Sequence, residues 1–166
     1  MNIIYYILLF LPFVIGMLLG IIYKNTWNNN NYKKLIKSQL NPPNYVFSIV
    51  WPILYILIGI SYANILSNKN ISYWILPIIA LIFNFLYIPS FSIKKYSPFL
   101  LSTIIIIFSL IFGIMTFIQF YIITTKNKKL YSYLLIPYII WLTFALYLSF
   151  DMYNLNKNIK LNFFFH

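Results

Sequence analysis

LNPPNYVFSIVWPILYILIGISY, residues 40–62, opens on two prolines and then stays apolar long enough to cross a bilayer, which takes about 20 residues as a helix. Proline costs little at a helix start, where its missing N–H would be unpaired in any case. Trp51, Tyr55 and Tyr62 follow at i, i+4 and i+11, so they project from one side of the helix. Gly59 lies beside them and leaves room for another group to approach the backbone. Pro52 sits deeper, removes one helical hydrogen bond and predicts a kink. Such a helix can pack a bundle core or line a cavity.

The rest of the chain is built the same way. Of 166 residues, 62% are hydrophobic and 8% charged, against about 25% charged in a soluble domain. Apolar runs at 3–23, 45–66, 71–91, 98–124 and 130–153 are separated by short breaks that hold almost every lysine. The expectation is an all-α, polytopic membrane protein: one five-transmembrane-helix bundle over residues 1–166, with no domain boundary and membrane lipid as its solvent. The first run has no basic residue ahead of it and no small-residue cleavage site after it, so it reads as a retained span. Its Gly16 and Gly20 form a GxxxG pair suited to close helix packing within the bundle.

The net charge of +11 comes from twelve lysines and a single acid, Asp151. The lysines are scattered over loops and there is no arginine, which speaks for topology and anionic-lipid contact and against nucleic acid. Lys24, Lys33, Lys34, Lys37, Lys94, Lys95, Lys157 and Lys160 share one side of a five-span topology, and Lys69, Lys126, Lys128 and Lys129 share the other. The bias places the long first loop and the C-terminus in the cytoplasm and the N-terminus outside. There is no cysteine, and the one histidine, His166, ends the chain. With one acid besides, neither a metal cluster nor a general acid/base dyad can be assembled.

Three more patterns carry information. In the first loop Tyr32, Leu35, Ile36 and Leu40 recur at helical spacing, which predicts a short amphipathic helix across one mouth of the bundle. Asn84 lies inside the third run, with Tyr87, Ile88 and Phe91 on the same face; an amide within the membrane needs a partner in the protein or a cavity. Trp141, Ala145, Leu148 and Met152 form one stripe on the fifth run, where Pro137 frees a carbonyl in the first turns.

These blocks together resemble the TspO/translocator protein family. YKKLIK (32–37), NPP (41–43), VF (46–47), VW (50–51), LY (54–55) and Gly59 resemble its first loop and second helix. NFLYIPSF (84–91) looks like its third-helix N-x-x-W-x-x-x-F pattern, and LIPYIIWLTFA (135–145) is similar to its fifth-helix L-x-P-Y-x-x-W-x-x-F-A. The blocks occur in order and cover nearly the whole chain.

The resemblance implies a five-helix bundle, often a homodimer, that binds flat hydrophobic molecules between its helices. Porphyrins such as protoporphyrin IX, heme and sterols would be ligands, with no resident cofactor. By matching position Trp51, Asn84, Trp141 and Ala145 would be pocket residues. Tyr32, Pro42 and Pro43 would shape a lid, and Tyr55, Tyr87, Phe91 and Leu148 would line the walls. One alternative is light- and oxygen-dependent porphyrin breakdown, reported in some members, which would rest on Trp51 and Trp141; another is a regulatory membrane protein without ligand turnover, whose rings only pack. Leu148, Tyr153 and Lys157 fit a loose sterol consensus. Four positions depart from the family pattern: Asn31, Tyr45 and Tyr87 stand where tryptophan is usual, and Ser149 where asparagine is common.

Overall fold

The computed structural model describes residues 3–24, 36–90 and 98–157. Its elements are α1 (Ile3–Ile22), α2 (Asn44–Leu66), a 3₁₀ turn (Ile71–Trp74) leading into α3 (Ile75–Ser90), α4 (Pro98–Ile123), a second 3₁₀ turn (Lys126–Lys128), α5 (Lys129–Tyr133) and α6 (Ile136–Asn156). There is no strand among the described residues. Five stretches are long and apolar enough to span a membrane: Ile3–Ile22, Asn44–Leu66, Ile71–Ser90, Phe99–Ile123 and Lys126–Asn156. The chain is an all-α, multi-pass membrane protein.

The helices close a ring. α1 packs on α2 and α3, α3 on α4, α4 on α5 and α6, and these last two return to α2. The sequence supplies an interior and an exterior to match. Leu54, Ile58, Leu66, Ile106, Phe120, Leu135 and Leu142 are buried at the centre. Ile75, Ile78, Ile82 and Leu86 recur every three to four residues along α3 and are exposed. In water that stripe would be an aggregation hazard, whereas hydrocarbon solvates it.

α1 and α2 touch through glycine. A side chain at Gly59 would run into the Leu9 carbonyl of α1, and one at Gly16 would occupy the place of the Tyr55 ring. Gly20 meets nothing within 4 Å. The GxxxG pair is thus half used: Gly16 packs against α2 and Gly20 does not. Three hydroxyls of α4 and its C-terminal end bond a carbonyl of their own helix. Ser102 and Thr103 donate to the Phe99 carbonyl at 3.0 and 2.7 Å, and Thr124 donates to the Phe120 carbonyl at 2.7 Å, the usual fate of such residues in an apolar helix.

Two expectations need correction. The amphipathic helix foreseen over 32–40 lies partly outside the described residues, and the described half, 36–40, is not helical. Ser38 Oγ accepts from the Leu40 N–H at 3.4 Å, and the Asn41 N–H bonds the Ser38 carbonyl at 3.0 Å, so the chain turns instead. Pro42 then biases Asn41 away from helical angles. The fifth span is two helices, α5 and α6, joined at Leu134 and Leu135. Pro137 has no N–H to offer the Tyr133 carbonyl four residues back, which is where the helix is interrupted. By contrast α2 runs unbroken through Pro52. α6 also continues to Asn156, three residues past the foreseen end.

Candidate functional site

Because α2 and α3 run in opposite directions, the first turns of α2 and the last turns of α3 share one end of the bundle. α6 finishes at that same end. Phe47, Trp51 and Tyr55 follow each other at i, i+4 and i+8 along α2 and so share one side of it. Trp51 stacks on Tyr55 with ring centroids 5.5 Å apart and 26° between planes. Phe47 meets Trp141 of α6 edge to face at 5.7 Å, and Trp141 also tilts against Phe144 at 5.5 Å. On the other side Tyr55 leans on Phe85 of α3 at 5.7 Å. Each geometry is among those aromatic pairs prefer. Trp51 and Trp141 thus belong to two ring clusters, Trp51–Tyr55–Phe85 and Phe47–Trp141–Phe144, both seated on α2, and both tryptophans are half-buried against the core.

The polar groups sit among these rings. Tyr55, buried, donates its hydroxyl hydrogen to Asn84 Oδ1 at 3.0 Å. Asn84 is only 4% exposed. Its Nδ2 makes no hydrogen bond, although the Tyr138 hydroxyl of α6 is near enough to interact with the amide. Tyr138 itself bonds Ser109 of α4 at 3.0 Å. Trp141 Nε1 is likewise buried without a partner. The Tyr87 hydroxyl and Ser149 Oγ lie 3.0 Å apart and tie α3 to α6. So the site holds stacked faces, satisfied hydroxyls, one N–H donor without a partner, Trp141 Nε1, and one, Asn84 Nδ2, with only a loose contact to Tyr138. Such a buried unpaired donor costs about 1–3 kcal/mol. Other unpartnered polar atoms, Ser61 Oγ, Trp74 Nε1, Thr116 Oγ1 and Gln119 Oε1, belong to the opposite half of the bundle, away from the α2 N-terminus.

The foreseen site residues divide as follows. Trp51, Tyr55 and Asn84 are linked through Tyr55, Trp141 meets α2 through Phe47, and Tyr87 meets α6 through Ser149. Ala145 and Leu148 are buried one and two turns beyond Trp141 on α6. Pro42 is half-buried and Pro43 is exposed, and both sit at the entry to α2. Tyr32 and Phe91 lie outside the described residues. Leu148, Tyr153 and Lys157 do not form one surface. Leu148 is buried, Tyr153 half-buried and Lys157 exposed, and at about 100° per residue Leu148 and Lys157 point to opposite sides of α6.

Sequence reasoning passed over Phe47, Phe85 and Tyr138 as wall residues. Phe47 had a readable signal, its position one turn before Trp51. Phe85 and Tyr138 depend on how helices rotate against each other, which no single-helix period reports. Elsewhere, a shallow apolar groove of about 380 Å³ runs outside the ring between α4 and α6, lined by Thr103, Ile107, Thr143, Leu146, Tyr147 and Phe150.

Comparison with known proteins places this geometry in context. The sequence profile of the TspO/MBR family matches residues 8–154. The chain is 34% identical over 131 residues to the tryptophan-rich protein TspO of Chlorobaculum tepidum, covering 75% of this chain and 78% of that one. It is 29% identical over 134 residues to the tryptophan-rich protein TspO of Bacillus cereus, covering 79% and 81%. It is also 30% identical over 129 residues to an uncharacterized membrane protein, YtaB, of Bacillus subtilis, covering 75% and 79%.

Proposed function

The chain belongs to the TspO/MBR family, and from that premise we propose that it is a membrane receptor or carrier for flat, hydrophobic, porphyrin- or sterol-like guests. The guest sits between α2, α3 and α6, at the end of the bundle where α2 begins. The observation that carries this reading is the pairing of two features in one place. Two ring clusters on α2 reach α3 and α6, and beside them the buried donor Trp141 Nε1 has no acceptor while Asn84 Nδ2 has only the nearby Tyr138 hydroxyl. Flat apolar faces stack on rings, and a few convergent polar groups orient a ligand. Both polar groups here are N–H donors, so the favoured guest carries acceptors, such as the carboxylates of protoporphyrin IX.

The lysine bias supports an orientation with the C-terminus and the guest end facing the cytoplasm. A homodimer in the bilayer is compatible with this arrangement, in which α2, α3 and α6 of one chain supply the walls.

The test is a titration of the purified, full-length protein with protoporphyrin IX, followed by quenching of tryptophan fluorescence. The expected result is saturable quenching in the wild type and at least about tenfold weaker binding when Trp51→Phe and Trp141→Phe are combined, a loss of roughly 1.4 kcal/mol. Quenching that never saturates, or that the double variant keeps at full strength, overturns the proposal.

A further inference from the structure

One face of α6 changes character as the helix nears its end. Thr143, Phe150 and Lys157 stand seven residues apart, so they share that face with a drift of only about 20° per step. From Thr143 to Phe150 this face is one wall of the outer groove of about 380 Å³, and Thr103 and Ile107 of α4 are the other. Beyond the groove come an exposed amide, Asn154, and an exposed ammonium, Lys157. Lys157 keeps helical backbone angles, so it stays on the path of the helix.

The groove itself suits an alkyl chain. Thr103 donates its hydroxyl hydrogen to the Phe99 carbonyl, and Thr143 donates to the Ile139 carbonyl at 2.9 Å. Both hydroxyls are spent on their own helices. Buried Thr103 and half-buried Leu146 make the floor, and exposed Ile107, Tyr147 and Phe150 make the rim. At about 1.5 Å of rise per residue, Asn154 lies about 6 Å and Lys157 about 10 Å beyond Phe150. Apolar groove, amide and cation thus follow one another in the order of a phospholipid's tail, glycerol esters and phosphate. The chain's one acid, Asp151, is half-buried. Six residues before Lys157, it points about 120° away round the helix and is not its i+3 or i+4 neighbour.

We propose that the groove between α4 and α6, continued by Asn154 and Lys157, is the site of one anionic phospholipid of the surrounding bilayer. A tail lies in the groove, the glycerol esters reach Asn154 and the phosphate reaches Lys157. Any phospholipid has the tail, but a zwitterionic headgroup carries its own cation beside the phosphate. The lysine therefore favours a headgroup of net negative charge. Leu148, which shares the loose sterol consensus with Lys157, is buried away from this face and takes no part. The site lies outside the ring of helices and does not depend on the pocket reading above.

The test irradiates full-length protein in nanodiscs with a phosphatidylglycerol that carries a diazirine in one acyl chain. Peptide mass spectrometry locates the label, and unlabelled phosphatidylglycerol or phosphatidylcholine of the same chains competes with it. Label is expected on Ile107, Tyr147 and Phe150 in preference to the exposed Ile78 and Ile82 of α3. Phosphatidylglycerol should compete about fivefold better than phosphatidylcholine, the factor that one lysine near the surface supplies. Lys157→Gln, a change at an exposed position, is expected to abolish that preference and leave the label where it is. Ile107→Trp fills the groove and removes the label from Tyr147 and Phe150. Lys69→Gln, at the other end of the bundle, changes neither.

Label spread evenly over the groove and the α3 stripe overturns the proposal, as does label that survives Ile107→Trp. So do equal competition by the two lipids in the wild type, a preference that survives Lys157→Gln, and a preference lost equally in Lys69→Gln. A sterol that displaces the probe better than either phospholipid, or a groove found crosslinked to a second copy of the chain, gives the groove a different occupant and overturns it too.

Discussion

At the scale of single residues, Asn84 and Tyr55 decide most. An amide in the hydrocarbon layer is tolerated where a partner satisfies it, and the Tyr55 hydroxyl does this for one side of Asn84 only. Removing that hydroxyl leaves a buried carbonyl oxygen without a donor. Tyr55→Phe is therefore expected to destabilise the protein by about 1–3 kcal/mol. This is read as a lower midpoint of thermal unfolding in detergent, with the ring stack on Trp51 retained. A midpoint equal to the wild type's would mean that the hydrogen bond to Asn84 contributes nothing. The importance of Asn84 was legible in the sequence, because a lone amide within an apolar run stands out. Its partner was not legible: Tyr55 lies 29 positions away on another helix, and only the packing of α2 on α3 selects it.

At the scale of elements, the α1–α2 contact depends on where a Cβ can be placed. A methyl at Gly59 would collide with the Leu9 carbonyl of the facing backbone, while one at Gly20 meets open space. Gly59→Ala should push the two helices apart at a cost of about 1–3 kcal/mol, as overpacking does. Gly20→Ala should be neutral or slightly stabilising, because alanine is the better helix former by about 1 kcal/mol. Melting curves of the two variants side by side check this, and equal behaviour would contradict it. A GxxxG spacing alone could not separate the two glycines, since it gives the period of one helix and not which side its neighbour takes. The same reason explains the 36–40 segment. Its apolar spacing suited a helix, but the two prolines ahead and an asparagine 120 positions away impose a turn.

At the scale of the whole molecule, the spans were readable because charge and hydrocarbon exclude each other so strongly that twelve lysines mark the breaks. The lysines carry a second message. Lys69 follows α2, and Lys126, Lys128 and Lys129 follow α4, so these four share one end of the bundle. There Lys129 Nζ lies 3.9 Å from the Tyr121 ring centroid and Lys69 Nζ lies 5.9 Å from that of Tyr73, as suits an interfacial belt. That end carries fewer lysines than the other and is expected to face away from the cytoplasm. The chain has no cysteine, so Asn127→Cys supplies a single thiol. A membrane-impermeant maleimide should label it in right-side-out vesicles and not in inverted ones. The opposite pattern would reverse the orientation.

The site's walls were partly legible as stripes of rings on three separate helices, while their meeting through Phe47 and Trp141 is a property of the assembled ring. The central claim is that those rings enclose one slot. It is tested most directly by an experimental structure of the full-length protein with protoporphyrin IX bound in a bilayer mimic. The guest is predicted to lie against Trp51 and Trp141, with an acceptor toward Asn84. A guest found instead in the outer groove of Thr103, Ile107, Thr143 and Phe150, with the inner rings still closed on one another, would contradict it.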